Sequence, residues 1–203
     1  MFHVEQFDFF ARDKSVVASK ITNNYIKMKI KSLKQFIRNV PDFPQKGIQF
    51  KDVTTLFKNA EAFSLLSDEV YNLYKDKGVT KVVGIESRGF IMGPILANRL
   101  GVGFVPVRKP GKLPCEVYEE TYEKEYGFDS IQIHKDALSE NDIVVLHDDL
   151  LATGGTMLAA CRLMKHFNMK KIYVNFLIEL EDLNARKLFD ENIEISSLIK
   201  YPI

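Results

Sequence analysis

The sequence predicts an α/β fold in which a central, mostly parallel sheet is flanked by helices. From about residue 59 onward, short apolar segments of strand length alternate with amphipathic segments of helical period. The strand segments are almost continuously apolar, as expected when helices cover both faces of a sheet. A length of 203 residues with 46% hydrophobic residues suits one globular domain with an appendage.

The first predicted element is a helix in which Ile30, Leu33, Phe36 and Ile37 share one face. Prolines at positions 41 and 44 end it. The later elements are predicted as a helix over 59–76, a strand over 81–85, a helix over 89–100, a strand over 103–107, a strand over 143–146, a helix over 156–167 and a strand over 171–178. This alternation is typical of a parallel sheet.

Two segments fall outside this alternation. Residues 1–27 show no clean period and are predicted to be an N-terminal extension to a main domain over 28–203. Residues 108–137 mix tyrosines and isoleucines with many charges, which predicts a long loop or mobile β-hairpin projecting from the sheet. A connection of this length in a compact domain usually has a function.

The composition of the chain limits the classes of binding partner that can be expected. With 28 Lys and Arg against 27 Asp and Glu, the net charge of +1 gives no reason to expect nucleic acid or an anionic membrane. No apolar run reaches the length of a membrane span, and the acidic N-terminus does not resemble a secretory signal. Cys115 and Cys161 are far apart and form no metal-binding spacing. These features predict a cytoplasmic protein.

The strongest local feature is the predicted strand over 143–146, which leads into Asp148 and Asp149 and then into Ala-Thr-Gly-Gly-Thr at 152–156. Glycines, hydroxyls and a helix N-terminus together form a cradle for phosphate. Two carboxylates can accept hydrogen bonds from a vicinal diol or bind hydrated Mg²⁺. The segment therefore predicts a ribose 5-phosphate site, the alternative being a plain strand-to-helix turn whose acids complement the helix dipole.

This segment resembles the 5-phosphoribosyl 1-pyrophosphate loop of the type I phosphoribosyltransferases. Segments 42–52, 84–90, 107–114 and 122–127 are similar, in the same order, to the adenine branch of that family. The resemblance implies the type I fold, with a small N-terminal hood and a projecting flexible loop. It also implies a homodimer that uses Mg²⁺ to transfer the phosphoribosyl group to adenine, forming AMP and pyrophosphate.

The resemblance also assigns roles to residues. Those implied to hold the 5′-phosphate are Ala152, Thr153, Gly154, Gly155 and Thr156. Asp148 and Asp149 would bind the ribose hydroxyls and help place the Mg²⁺-bound substrate. Arg88 would grip pyrophosphate, since a guanidinium presents paired donors. A second clamp on pyrophosphate would comprise Arg108, Lys109 and Lys112, although lysines on a solvated loop are common.

The remaining implied residues concern the base and the lid. Glu125 is a candidate proton donor or acceptor at the purine N7, and Tyr126 belongs to the same mobile lid, although an acid on a solvated face is the alternative. Phe50 and Leu180 would lie on opposite faces of adenine, with backbone groups near Gln49 reading its edge. Phenylalanine and leucine are also common in the hydrophobic core, which is the alternative explanation for Phe50 and Leu180. The family often has a cis peptide bond just before the position of Ser87.

Two further functions remain open. The same chemistry could serve a 6-oxopurine, although relatives of that kind usually have a Lys-rich base pocket. The same fold also occurs in regulators that sense phosphoribosyl pyrophosphate and bind nucleic acid. Residues 1–27 contain few basic residues for such a role, and acidic residues offset them.

Overall fold

In a computed structural model of the protein, the described residues are 31–123 and 127–202. The chain divides into two compact units, Met1–Ala62 and Phe63–Ile203. The predicted extension over 1–27 lies outside the described residues, so its boundary stays a prediction. The same holds for the lid residues Glu125 and Tyr126.

The first unit contains a two-stranded antiparallel sheet. Residues 31–34 are helical, and the strands are β1 (Arg38–Pro41) and β2 (Gln49–Asp52), followed by the short helix α1 (Thr54–Lys58). The first helix was predicted to extend through Ile37, which is wrong because the chain turns after residue 34 to enter β1. Arg38 then pairs with Asp52, donating from Nε to Oδ2 at 3.1 Å.

The second unit is built on a five-stranded sheet in which every neighbouring pair is parallel. Its order is β4-β3-β7-β8-β9. The strands of the sheet are β3 (Lys81–Ile85), β4 (Gly103–Val107), β7 (Ile143–Leu151), β8 (Lys171–Leu180) and β9 (Glu194–Tyr201). Three helices accompany them: α2 (Ala60–Tyr74), α3 (Gly89–Leu100) and α4 (Gly155–Lys165). The predicted parallel sheet is confirmed.

Helices flank this sheet on both faces. Strand residues of one face, such as Val83 and Val174, form a buried core with Leu163 of α4. On the other face α3 lies so close that a Cβ added at Gly93 would come within 2.9 Å of the Phe104 ring. Glycine at this position therefore permits the close helix–sheet contact.

The segment over 108–137 contains a β-hairpin, one of the two forms predicted for it. Its strands are β5 (Val117–Glu123) and β6 (Phe128–His134), paired antiparallel. Arg108, which follows β4, exchanges two backbone hydrogen bonds with Gln132, at 2.9 and 2.7 Å. This bridge attaches the base of the hairpin to the end of β4.

Several strands differ from the prediction. β1, β2 and β9 were not predicted, and β7 continues to Leu151 instead of ending at residue 146. β7 extends because its neighbour β8 continues to pair with it, with Asp148 opposite Phe176 and Leu150 opposite Ile178. No helix within the described ranges is long and apolar enough to cross a membrane.

Candidate active site

The predicted phosphate- and pyrophosphate-binding residues gather at the carboxyl edge of the parallel sheet. The ends of β3, β4 and β7 lie side by side there because these strands are neighbours and parallel. Helices α3 and α4 begin at the same edge, which is where ligands bind in open α/β sheets.

Residues 152–156 form the mouth of a pocket at the start of α4. Gly154 is the N-cap residue with a φ of 85°, a left-handed conformation that favours glycine. No side chain among the described residues caps this helix start, so no side-chain oxygen accepts from its first N–H groups. The pocket is lined by Asp148, Leu150, Leu151, Ala152, Thr153, Gly154, Gly155, Thr156, Met157 and Phe176. The predicted cradle residues therefore surround one cavity.

The two carboxylates belong to β7 and are not in an exposed loop. Asp149 is buried and Asp148 is half-buried. The Asp149 N–H donates to Asp148 Oδ1 at 2.8 Å. Burial and the neighbouring charge of Asp149 raise the pKa of Asp148 above its ordinary value. A cation or hydroxyl donors from a ligand would relieve this repulsion.

Arg88 connects the β3–α3 turn to this acid pair. It precedes the first residue of α3 and donates from Nε to Asp149 Oδ2. The preceding Glu86–Ser87 peptide bond is cis, as the family resemblance implied. A Cβ on Gly89 would lie 2.9 Å from the His147 carbonyl oxygen, so only glycine lets α3 begin against the end of β7. This contact brings Arg88 to the carboxylates.

The second predicted pyrophosphate clamp surrounds Glu86. Glu86 Oε2 accepts from Arg108 Nε and from the Lys109 N–H, each at 3.1 Å. Glu86 Oε1 accepts from Lys112 Nζ. Burial alone would raise the pKa of Glu86, but these hydrogen bonds lower that pKa to about 2. The structure therefore brings Arg108, Lys109 and Lys112 together around one carboxylate.

Lys109 extends this cluster toward the hairpin. Its Nζ donates to Asp129 Oδ2 on β6 and lies 3.4 Å from the Tyr122 hydroxyl on β5. Burial alone would lower the pKa of Lys109, but the hydrogen bond to Asp129 outweighs this effect, so the pKa of Lys109 is raised. All four cations that were predicted to hold pyrophosphate thus lie in ion pairs with acidic side chains.

The residues predicted to contact the base are divided between the two units. In the first unit Phe50 packs edge-to-face on Phe43 with ring centroids 5.2 Å apart, and Gln49 Oε1 accepts from Asn39 Nδ2 at 2.7 Å. In the second unit Leu180 is the last residue of β8 and is half-buried. Their joint contact with adenine stays a prediction.

His147, directly before the acid pair, is fully buried. Its Nδ1 lies 2.8 Å from Asn175 Oδ1 on the adjacent strand β8. Burial lowers the pKa of His147 to about 4, so the imidazole is neutral near pH 7. The sequence predicted His147 to be a strand-end residue and not a catalyst, but β7 continues to Leu151, so His147 lies in the middle of the strand, in the interior of the sheet.

An ion pair between the buried Glu179 and the half-buried Arg186, which the sequence did not reveal, supports the phosphate cradle. Glu179 accepts from Arg186 Nε at 2.6 Å and from Nη2 at 2.7 Å. Arg186 lies in the 3₁₀ helix Ala185–Leu188, and a Cβ on Gly154 would lie 3.3 Å from Ala185 Cβ and 3.5 Å from the Phe189 ring. The pair thus fixes the segment that packs behind Gly154.

Sequence reasoning also missed the role of Glu86 and Asp129 as partners of the cations. Glu86 carried one usable signal, because it directly follows a buried strand whose carboxyl end faces the site. Asp129 and Glu179 carried no local signal, since their partners lie on other elements.

Comparison with known proteins agrees with this geometry. The family described as "Phosphoribosyl transferase domain" matches residues 52–199. The adenine phosphoribosyltransferase of Bacteroides fragilis is 67% identical over 165 residues, which cover 80% of this chain and 93% of that protein. The crystal structure of adenine phosphoribosyltransferase from Rhodothermus marinus is 44% identical, with a TM-score of 0.81, and the match covers 86% of this chain and 99% of that one. The Giardia lamblia enzyme complexed with 9-deazaadenine has the same identity and TM-score, with 86% and 98% covered. The chain therefore belongs to the phosphoribosyl transferase domain family and, within it, to the adenine phosphoribosyltransferases.

Proposed function

We propose that this protein transfers the 5-phosphoribosyl group from 5-phosphoribosyl 1-pyrophosphate to N9 of adenine, forming AMP and pyrophosphate. The observation that carries this is the end of β7, where Asp148 and Asp149 lead within a few residues into the N-terminus of α4 at Gly154. One short segment thereby offers acceptors for a diol and donors for a phosphate. The relatives are named adenine phosphoribosyltransferases, which supports adenine as the base.

The cradle at 152–156 binds the 5′-phosphate in this proposal. The first N–H groups of α4 and the hydroxyls of Thr153 and Thr156 donate to its oxygens, and the helix dipole favours its charge. Asp148 and Asp149 accept hydrogen bonds from the ribose hydroxyls. These contacts hold the ribose ring so that its anomeric carbon faces the incoming base.

The cations of the β3–α3 and β4–β5 connections hold the leaving pyrophosphate. Positive charge develops on the ribose ring as the bond to pyrophosphate breaks, while negative charge grows on the departing oxygens. Arg88, Arg108, Lys109 and Lys112 would stabilise those oxygens through charge-assisted hydrogen bonds. Each of these cations contacts an acidic side chain in this structure, so an arriving phosphate oxygen would compete with that acid for the donors.

Mg²⁺ is the proposed cofactor. Among the described residues, no group of three or more His, Cys, Asp or Glu side chains is arranged to hold a metal ion. The Asp148 and Asp149 carboxylates still fit Mg²⁺, which is commonly held by one or two carboxylates together with substrate oxygens and water. When bound, the ion would offset the charge of the substrate's phosphates.

The base pocket of the proposal uses Phe50 and Leu180 against the two faces of adenine, with backbone groups near Gln49 at its edge. Stacking on an aromatic ring buries a large apolar surface, which favours a purine. Glu125 is the proposed proton donor or acceptor at N7, and Tyr126, the next residue in the chain, is the proposed substrate-binding residue beside it. A 6-oxopurine is the second candidate base, whereas a nucleic-acid-binding regulator is disfavoured by the net charge of +1.

A homodimer and a cytoplasmic location complete the proposal, and both rest on the family resemblance and composition. Light scattering coupled to size-exclusion chromatography should give twice the chain mass of 23.3 kDa. Fractionation of cells that produce the protein should recover it with the cytoplasmic enzymes. A monomeric mass would contradict the first expectation, and recovery with membranes the second.

The test of the activity supplies adenine, guanine, hypoxanthine and xanthine separately, each with 5-phosphoribosyl 1-pyrophosphate and Mg²⁺. Formation of AMP from adenine alone supports both the cradle and the base pocket. Turnover of an oxopurine would retain the cradle and overturn the assignment of Phe50 and Leu180. Absence of turnover with all four bases would overturn the proposed activity and favour a sensor.

A further inference from the structure

We propose that Glu86 competes with pyrophosphate for the side-chain donors of Arg108 and Lys112, both of which it binds in this structure. The inference rests on the proposed function, because it takes pyrophosphate as the anion that these cations bind. Glu86 would thereby set how tightly pyrophosphate is held and how readily it leaves.

The first step is the geometry of the cluster. Both carboxylate oxygens of Glu86 are used, Oε2 by Arg108 Nε and the Lys109 N–H at 3.1 Å each, and Oε1 by Lys112 Nζ. The Glu86 side chain is only 12% exposed, against 34% for Arg108 and 47% for Lys112. The anion therefore lies beneath the cations, whose outer sides are accessible to a ligand.

The second step is the chemistry of the exchange. A phosphate oxygen accepts the same charge-assisted N–H hydrogen bonds as a carboxylate oxygen. The Arg108 guanidinium and the Lys112 ammonium must therefore divide their donors between Glu86 and an arriving polyanion. The carboxylate also repels the polyanion across a short distance. Both effects weaken pyrophosphate binding relative to a cluster without Glu86.

The third step explains why the cluster keeps its shape. The backbone hydrogen bond from Lys109 to Glu86 does not depend on either side-chain cation, so it anchors the loop when those cations turn to a ligand. Glu86 remains ionised throughout the physiological range because its pKa is lowered to about 2. The competition is therefore present at every pH at which the enzyme would work.

The experiment compares the full-length protein with Glu86→Gln. Glutamine retains an oxygen that can accept from Lys109 and Arg108, but it removes the negative charge. The dissociation constant of inorganic pyrophosphate with Mg²⁺, measured by titration calorimetry, should fall about tenfold, the effect of one charge-assisted interaction. The inhibition constant of pyrophosphate against 5-phosphoribosyl 1-pyrophosphate should fall with it. A merely structural role would weaken binding, so unchanged or weaker binding overturns the inference.

Glu116→Gln is the matched control, because Glu116 pairs with Lys135 at 3.1 Å on the hairpin away from this cluster. Its pyrophosphate affinity should equal that of the unmodified protein, and a similar gain there would overturn the inference. If Glu86→Gln does not fold, Glu86→Asp decides the matter. The shorter carboxylate withdraws from Lys112, so pyrophosphate should bind severalfold tighter, and equal or weaker binding overturns the inference.

The two proposals fail in different ways. Formation of AMP by the unmodified protein tests the activity, whereas calorimetry with pyrophosphate needs no turnover. A protein that forms AMP but shows no gain in Glu86→Gln refutes the role of Glu86 alone. A protein that forms no AMP but gains pyrophosphate affinity in the variant refutes the activity alone.

Discussion

Replacement of Arg186 by methionine is expected to reduce both the stability of the protein and its affinity for 5-phosphoribosyl 1-pyrophosphate. Arg186 binds both carboxylate oxygens of Glu179 and also donates to the Ile195 carbonyl at 2.9 Å and to Ser197 Oγ at 2.8 Å. Glu179 is buried, so loss of the guanidinium leaves a carboxylate without its main partner. Methionine preserves much of the side-chain volume while removing the donors.

The size of the effect follows from the burial of Glu179. Removing one partner of a buried ion pair typically costs about 3–5 kcal/mol. Lys200 Nζ remains 3.7 Å from Glu179 Oε2 and compensates part of the lost charge. The lower value, about 3 kcal/mol, is therefore expected, which corresponds to a fall in Tm of about 6–12 °C for a chain of this size.

Urea unfolding of Arg186→Met, Glu179→Gln and the double variant measures this coupling. The double variant should be more stable than the sum of the single losses predicts, by about 1.5 kcal/mol or more. The KM for 5-phosphoribosyl 1-pyrophosphate should rise severalfold in Arg186→Met, because the segment behind Gly154 loses its anchor. A stability loss below about 1 kcal/mol, or additive single losses, would refute this reasoning.

Three other outcomes are expected. Gly154→Ala should raise the KM for 5-phosphoribosyl 1-pyrophosphate, because a left-handed φ of 85° costs alanine about 1–2 kcal/mol and its Cβ would contact Ala185. Gly101→Ala is the control, since Gly101 also has a positive φ, of 70°, but has open space around it. This variant should lose stability but keep the KM of the unmodified protein. Because the pKa of Asp148 is raised, the contribution of Asp148 to stability is greatest below pH 3.8, the ordinary pKa of the group, and falls as pH rises. Asp148→Asn should therefore flatten the dependence of the free energy of unfolding on pH, measured by urea unfolding. The pKa of Glu86 is lowered from 4.5 to about 2, so its contribution to stability is present above pH 4.5 and lost as pH falls toward 2. Acid unfolding of Glu86→Gln should lack this loss.

Each pH prediction has an opposite result that would contradict it. A steeper pH slope in Asp148→Asn would mean that the carboxylate is stabilised as an anion. An acid transition in Glu86→Gln that matches the unmodified protein would mean that Glu86 is not a principal acid-sensitive group.

Most of the regular helices and strands were predictable because the spacing of apolar residues along the chain indicates them locally. Helix α3 is signalled by a mostly apolar segment that ends before Gly101, and strands β3 and β4 by short, mostly apolar segments; their observed bounds match the prediction. Strands β1 and β2 are four residues each, too short to show a period. Strand β9 carries Ser196 and Ser197 at its centre, so its sequence does not indicate a strand before β8 is there to pair with it.

The sequence by itself determined four of the five strands of the central sheet. It also determined the segment over 148–156, since two acids, two glycines and a helix start lie close together in the chain. Only the tertiary structure decided how the charges are partnered. Glu86 meets Arg108 and Lys112 across 22 and 26 residues, and Arg88 meets Asp149 across 61. Such contacts depend on which strands are neighbours in the sheet, and no local pattern specifies that order. The chemistry is therefore encoded in short motifs, whereas the electrostatic balance among them arises only when parallel strands bring their ends together.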